Sequence, residues 1–460
     1  MKIITQFRST PSSGNGVGKT CCYVLLAVSS GISVGANADL FHYNNLLIGP
    51  RAIGLAGAFT ALADDPSGLY YNPGGLPFQN SAQLSSSINT FYLRQNSYEK
   101  VFGDRAFEDS ARGTVSSFFG FSKKINPPLL GQLQVGLAFV NPDAALSNEN
   151  TLITNNRESD VVRYHRSANI RSGSSQIIVG VAKRLGQRLG VGCSFSYLDV
   201  DELEQIYQDV IQGPFRFDEL PDDDVYSTLG QNVRLHLVMR GGSARCGMRV
   251  NLGSQLQIGL SYQEVKPIYQ KLEYDLELNK VFTNNDGSVI SVKESSNPSL
   301  QGQLLRSVTR TYMDDFVEVW PNDIRLGFAY QPSKWLMISG DVVRHGPGSG
   351  VVAQVKRSET INGALGAELT LANTLVLRGG VFTNRDATDS RNLSSVSQRK
   401  EYMDYQGASL ATGFKLRSGE YVLHYTEQIG QGKAEKVTGN PQNSSGRLQV
   451  ISISANQSFQ

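Results

Sequence analysis

Past its first 38 residues the chain has no apolar run of about 18 residues or more, which excludes membrane-spanning helices. Four cysteines in 460 residues exclude a disulfide scaffold, and 16 prolines exclude collagen-like and proline-rich chains. Neither charge dominates, with 43 Lys and Arg against 41 Asp and Glu, so there is no basic field for nucleic acid to find. The five histidines, His42, His165, His236, His345 and His424, are scattered, and no H-E-x-x-H, G-x-S-x-G or C-x-x-C occurs. No catalytic residue, metal ligand set or cofactor is expected. Gly14 to Thr20 looks like the end of a phosphate-binding loop, but Ser13 stands where its first glycine belongs. What is abundant is glycine, at 46 residues, together with 19 tyrosines and 20 phenylalanines.

Lys2, Arg8 and Lys19 precede the apolar stretch Cys21 to Val28, and small residues end in Ala36-Asn37-Ala38. That order predicts a signal peptide over residues 1–38 and an exported chain starting at Asp39. If such a chain enters a membrane without helices, it does so as β-structure.

From about residue 80 the sequence alternates with period two. Leu133, Val135, Leu137 and Phe139 share one parity; so do Leu256, Ile258, Leu260 and Tyr262, then Ile324, Leu326, Phe328 and Tyr330, and near the end Ile451, Ile453, Ala455 and Phe459. Short links (125–130, 185–188, 252–254, 332–334, 372–373, 417–419) take turns with long ones (93–113, 141–172, 201–230, 277–311, 346–358, 385–404, 430–446). The pattern predicts an all-β fold, a transmembrane antiparallel barrel of about 14 strands over residues 81–460, with short turns at one end and long loops at the other. Eleven residues at about 3.3 Å, tilted about 40°, rise roughly 28 Å, enough to cross the apolar layer. Cys193 and Cys246 lie at apolar parities and are expected as separate lipid-facing residues, with an oxidised pair as the alternative.

A barrel this wide cannot fill itself, so it needs a plug or is a water channel. Residues 39–80 are the plug candidate. Their Gly/Ala-rich part, Gly49 to Ala63, predicts a short helix ended by Asp64 and Asp65, and Asn72-Pro73-Gly74-Gly75 predicts a chain of turns.

The run Ala63-Asp64-Asp65-Pro66-Ser67 through Tyr71-Asn72-Pro73-Gly74-Gly75-Leu76 resembles the hatch of the FadL/TodX-type outer-membrane transporters of long-chain fatty acids and hydrocarbons. Trp320 to Pro332 and Gly366 to Gly380 resemble that family's late strands. Gly74 departs from the family's alanine. Arg51 to Phe59 resembles equally the PorV group, barrels that shuttle secreted proteins. The first resemblance implies a monomeric outer-membrane channel of a Gram-negative bacterium, with lipopolysaccharide as surroundings and passive uptake of hydrophobic molecules. It also implies a ligand leaving sideways at a kinked third strand. Gly136 is the kink candidate, or it simply makes room for the plug.

Leu203, Ile206, Tyr207, Val210 and Ile211 recur at helical spacing and are followed by Phe215 and Phe217. The segment is expected to be a short amphipathic helix that captures ligand at the mouth, or else packs its loop onto the rim. Acids around it, Asp199 to Asp224, offer a weaker expectation of calcium. Arg234, Arg325 and Arg378, with Arg240 and Arg249, are candidates for a ligand carboxylate or for pairing with Asp64 and Asp65.

Overall fold

The computed structural model describes residues 41–102, 105–154, 161–217, 220–283, 305–314, 320–349, 356–371, 374–388, 401–417, 419–434 and 442–459. The expected signal peptide lies outside them.

Strand dominates. In chain order come β1 (Ala82–Phe102), β2 (Arg105–Ile125), β3 (Leu133–Thr154), β4 (Val161–Leu185), β5 (Leu189–Phe217), β6 (Leu220–Leu252) and β7 (Leu256–Thr283). There follow β8 (Leu305–Asp314), β9 (Asp323–Ser333), β10 (Leu336–His345), β11 (Gly348–Ser349), β12 (Lys356–Arg357), β13 (Thr360–Leu371), β14 (Leu375–Asn384), β15 (Glu401–Leu416), β16 (Gly419–Ala434) and β17 (Gln442–Phe459). Neighbours pair antiparallel, β1 joins β17, and β6 joins β7, which closes the sheet. β7 pairs with β9 along Leu256–Gln263 and with β8 along Lys271–Lys280, so β8 and β9 are two pieces of one stave. With β11 and β12 set apart as a small hairpin, the barrel has 14 staves, as the alternation predicts.

The face that is greasy is the outer one. In β9, Ile324, Leu326, Phe328 and Tyr330 are exposed while Asp323, Arg325, Gly327 and Ala329 are buried, the inverse of a water-soluble sheet. Ile177, Val179 and Val181 on β4, Leu410 and Phe414 on β15, and Leu423 on β16 continue this band around the barrel. No helix of the described residues is long and apolar enough to cross a membrane.

The short links all fall at one end. At the other end most of the expected loops are strand: β5 has 29 residues and β6 has 33. Subtracting what spans the apolar layer leaves the β5–β6 hairpin standing roughly 45 Å beyond it. The expected helix over 203–211 is part of β5, paired to β4 on one side and β6 on the other. Ile206 and Val210 are buried inside and Tyr207 is exposed outside; Leu203 and Ile211 are half-buried. Helical spacing of five apolar residues lost to ladder bonds on both edges and to the β-branched residues Val200, Ile206, Val210 and Ile211. The side chains of Phe215 and Phe217 lie outside the described set.

Cys193 and Cys246 sit directly opposite in the β5–β6 register and form a disulfide. The expectation of two separate thiols is therefore corrected: a cross-strand pair 53 residues apart in sequence is adjacent in the sheet. Replacing both with alanine should lower stability by about 2–4 kcal/mol, checked by denaturant melts of the oxidised wild type and the double variant. Equal midpoints would show that the dense β5–β6 ladder already supplies the constraint.

Candidate functional site in the barrel interior

Residues 41–80 fold into the lumen. Helix α1 (Pro50–Gly54) starts on a proline, whose missing N–H costs nothing at a first helical position. Helix α2 (Gly68–Tyr71) and a 3₁₀ turn (Pro73–Phe78) follow, the latter opened by the Asn72 side chain accepting from the Gly74 amide at 3.0 Å. The apolar side chains of this segment, among them Ile48, Leu55, Phe59 and Leu69, form one buried cluster with Phe118, Ala138, Val140, Ile178 and Ala329 of the wall.

Polar stitches bind the segment to the staves. Asn72 donates to the carbonyls of Thr60 at 2.8 Å and Met248 at 3.0 Å. Asp341 accepts from the amides of Phe59 and Thr60, at 3.1 and 2.9 Å. Ser261 and Ser194 donate to Tyr71 and Leu69 carbonyls at 2.8 Å each, and Arg249 donates to the Leu62 carbonyl at 2.6 Å. Arg51 grips Glu368 with Nε and Nη2 and Asp64 with Nη1, all within 3.2 Å.

Glycine at 74 has a physical reason. A Cβ there would meet the Met248 Cα at 2.5 Å and the Gly247 oxygen at 2.7 Å, so this wall leaves no room for an alanine. Gly74→Ala should overpack the contact by about 1–3 kcal/mol and lower the melting midpoint in detergent. An unchanged midpoint would mean that the turn shifts freely. Gly136 is regular: it pairs with Ser122 and Gly180, and a Cβ on it would lie 3.0 Å from Leu69 Cδ1. It makes room for the inner segment rather than a kink.

The irregularity lies five to six residues on. β3 pairs with β2 only from Leu133 to Val140 among the described residues, and its ladder with β4 slips between Val140 and Asp143, at Asn141-Pro142. Proline cannot donate to a neighbouring strand, and a bulge re-aims the chain. Beyond Phe118 and Val140, β2 stays with β1 and β3 stays with β4, leaving a seam between β2 and β3. Phe118 and Val140, which begin it, pack against the inner segment.

Burial disfavours ionisation of Asp64, but the charges of Arg51 and Arg249 outweigh it and hold this carboxyl below the usual range. Burial pushes Asp65 up to about 6, against hydrogen bonds from the hydroxyl and amide of Ser67.

The candidate arginines separate. Arg378 is buried between Glu368 and Glu420, at 2.7 Å from each. Arg234 and Arg240 are exposed, the latter on Asp199 at 2.9 Å. Arg249 reaches Asp64 at 3.9 Å. Arg325 is buried with its Nε lacking a hydrogen-bond partner, 3.5 Å from Asp323, whose carboxylate is held bidentate by Arg245 at 2.7 and 2.8 Å. The rings of Tyr70 and Tyr71 lie 5.9 and 5.5 Å from the Arg325 guanidinium.

Arg325 lines a cavity of about 20 Å³ with Leu46, Leu47, Tyr70, Asn362 and Phe382. That volume holds about one water and no alkyl chain. The space is taken by residues 41–48, a strap whose Leu46 packs on Tyr92, Leu448 and Val450 and whose Leu47 packs on Ile53, Ala56 and Phe382. Polar contacts to the Met403 carbonyl from His42, and to Asn384 and Thr383 from Asn44, fix it. Sequence reasoning missed this strap, and Arg51, Asp341, Glu368, Arg245 and Asp323 with it. A visible signal was Asp341 at an inward parity of an apolar strand.

A closed antiparallel barrel with an apolar outer band is a transmembrane barrel, and here its own N-terminal segment packs on the inner wall. No family model matches the chain, and no curated relative matches it. Solved structures do. A Pseudomonas aeruginosa FadL homologue superposes with a TM-score of 0.55 at 12% identity, over 91% of this chain and 100% of its own. The P. putida toluene transporter TodX matches at 0.54 and 13%, over 92% and 99%. The Ralstonia pickettii toluene transporter TbuX matches at 0.53 and 12%, over 91% and 100%. The chain shares their fold.

Proposed function

We propose that the protein is an outer-membrane channel of a Gram-negative bacterium for passive uptake of hydrophobic small molecules, long-chain fatty acids foremost, with residues 39–80 as its hatch. The observation that carries this reading is the β2–β3 seam, which begins where Phe118 and Val140 rest on the inner segment. A lateral opening at that height faces lipid, and an alkyl chain gains from such a route. Keeping about fifteen methylenes in water costs roughly 12 kcal/mol relative to an apolar path.

The fold neighbours described as a FadL homologue and toluene transporters support the class of cargo. Arg325, whose Nε lies 3.5 Å from Asp323 without a hydrogen bond and whose guanidinium lies beside the Tyr70 ring, is suited to a carboxylate head, and the space of Leu46 and Leu47 to the chain behind it. The bend at Asn141-Pro142 and the lateral exit make a single working unit, in a monomer set among lipopolysaccharide. No catalytic role is assigned.

Uptake of labelled hexadecanoate by cells with and without the gene tests this. A gene-dependent rise is expected. Equal uptake of both hexadecanoate and toluene would reject the channel, and accumulation of unexported proteins in the deleted strain would favour the shuttle reading instead.

A further inference from the structure

The outer wall at the short-turn end carries charge of one sign over several adjacent staves. The sequence holds no Asp or Glu between Ser110 and Pro142 or between Val161 and Leu198, so the halves of β2, β3, β4 and β5 at this end bear cations alone. The flanking stretches 82–88 of β1, 243–252 of β6, 256–262 of β7 and 451–459 of β17 hold no acid either. On this patch Lys123 of β2 and Lys183 of β4 share the outward parity of exposed Phe119 and Val179, and both are exposed. Lys123 lies opposite Val135 of β3, and Val135 lies opposite Val181 of β4, two residues before Lys183. The two lysine Cα atoms are therefore about 12 Å apart, and their flexible four-carbon stems can bring both ammonium groups to one small anion.

A second observation marks the same place. In the β2–β3 turn the Leu130 and Gly131 amides both donate to the Pro127 carbonyl at 3.2 Å, and the turn so closed holds Leu129 98% exposed and Leu130 57% exposed. Lys183 Nζ donates to the Leu130 carbonyl at 2.8 Å, which ties this turn to the outer side of β4 and leaves the ammonium two further donors. A leucine held in water is unfavourable, whereas among lipid headgroups it meets apolar surface. We propose that Lys123 and Lys183 bind the phosphate of an anionic glycerophospholipid in the inner leaflet, with its acyl chains along Phe119, Leu137 and Val179 and with Leu129 set into the headgroup layer. Short turns mark the periplasmic end of an outer-membrane barrel, the side whose leaflet is glycerophospholipid. Basic side chains at a membrane surface are drawn to anionic headgroups, and the exposed apolar residues above the lysines offer the chains a surface that water does not.

Native mass spectrometry of the detergent-purified protein, titrated with phosphatidylglycerol and separately with zwitterionic phosphatidylcholine, tests the site. The wild type is expected to retain phosphatidylglycerol about tenfold better or more. Lys123→Gln with Lys183→Gln should remove that preference, and Lys123→Arg with Lys183→Arg should keep it. Lys334→Gln with Lys415→Gln, at exposed cations elsewhere on the same rim, should leave it unchanged. Equal retention of the two lipids by the wild type, or equal losses in the two glutamine pairs, would overturn the site and leave a diffuse positive rim. Displacement of bound phosphatidylglycerol by glycerol 3-phosphate would overturn the lipid as its ligand in favour of a free phosphate. Circular dichroism melts establish that each variant is folded. Lipid retention is read without any cargo, so a failure of hexadecanoate uptake bears on the channel reading alone.

Discussion

Arg325→Gln should reduce hexadecanoate uptake by roughly tenfold to a hundredfold while changing toluene uptake less than twofold. The guanidinium is buried, its Nε has no hydrogen-bond partner, and its nearest carboxylate, Asp323 at 3.5 Å, is already satisfied by Arg245. A charge-assisted bond to a ligand carboxylate there is worth about 1.5–3 kcal/mol, and each 1.4 kcal/mol is about tenfold in binding. Glutamine keeps a polar group in the recess, and Asp323 keeps its bidentate partner, so the barrel should survive. Toluene has no anionic group to lose, so its uptake is the control for folding and for the open route. Arg325→Lys should fall between, since a point charge replaces a planar fork. Equal losses for both ligands would mean that Arg325 only braces Asp323, and the carboxylate site would be withdrawn.

The barrel was legible because one physical signal repeats: period-two alternation continues across every stave, and a membrane inverts which side is apolar. The short links were legible for a related reason, since strands end where Gly-rich or Pro-containing turns interrupt the alternation. The far end was not. Residues 141–172 and 201–230 are polar enough to pass for loops, but their pairing is settled by partners distant in sequence, such as Asp209 opposite His165 and Gly230. A five-residue helical stripe cannot compete with two continuous ladders. The interior was half legible. Asn72 and Asp64 carry visible motif positions, whereas the partners that give them meaning, Met248 and Arg51, are set by inward parity and by which stave lies behind the segment. Cys193 and Cys246 show the same limit, since pairing depends on register, and register is a property of the closed sheet.

Arg51→Ala should turn a nearly silent barrel into an ion-conducting one, with open events in planar bilayers rising about tenfold or more. Arg51 holds Asp64 and Glu368 together, linking the inner segment to β13 through two hydrogen bonds to Glu368 and bracing itself with two to Asp64. Its removal leaves Glu368 with Arg378, but Asp64 with only Arg249 at 3.9 Å. Breaking a buried pair costs about 3–5 kcal/mol. The Arg51 side chain is 24% exposed and solvent screens part of that, so about 1–3 kcal/mol is the relevant range. A loss of that size shifts a closed segment toward release by roughly five- to a hundredfold, and a fourteen-stave lumen without its plug passes water and ions. The two neighbouring acids also set a pH dependence. The depressed Asp64 stabilises the folded segment above its ordinary titration range and loses this only in stronger acid. Asp65, raised to about 6, acts oppositely: its neutral form fits the buried site, and its share of stability declines as pH rises from about 4 to 6. Wild-type conductance should therefore be lowest near pH 4 and rise up to about pH 6, and Asp65→Asn should remove that rise. If Arg51→Ala remains silent across this range, the segment is held by its apolar cluster alone, and the ionic latch carries no part of the closure.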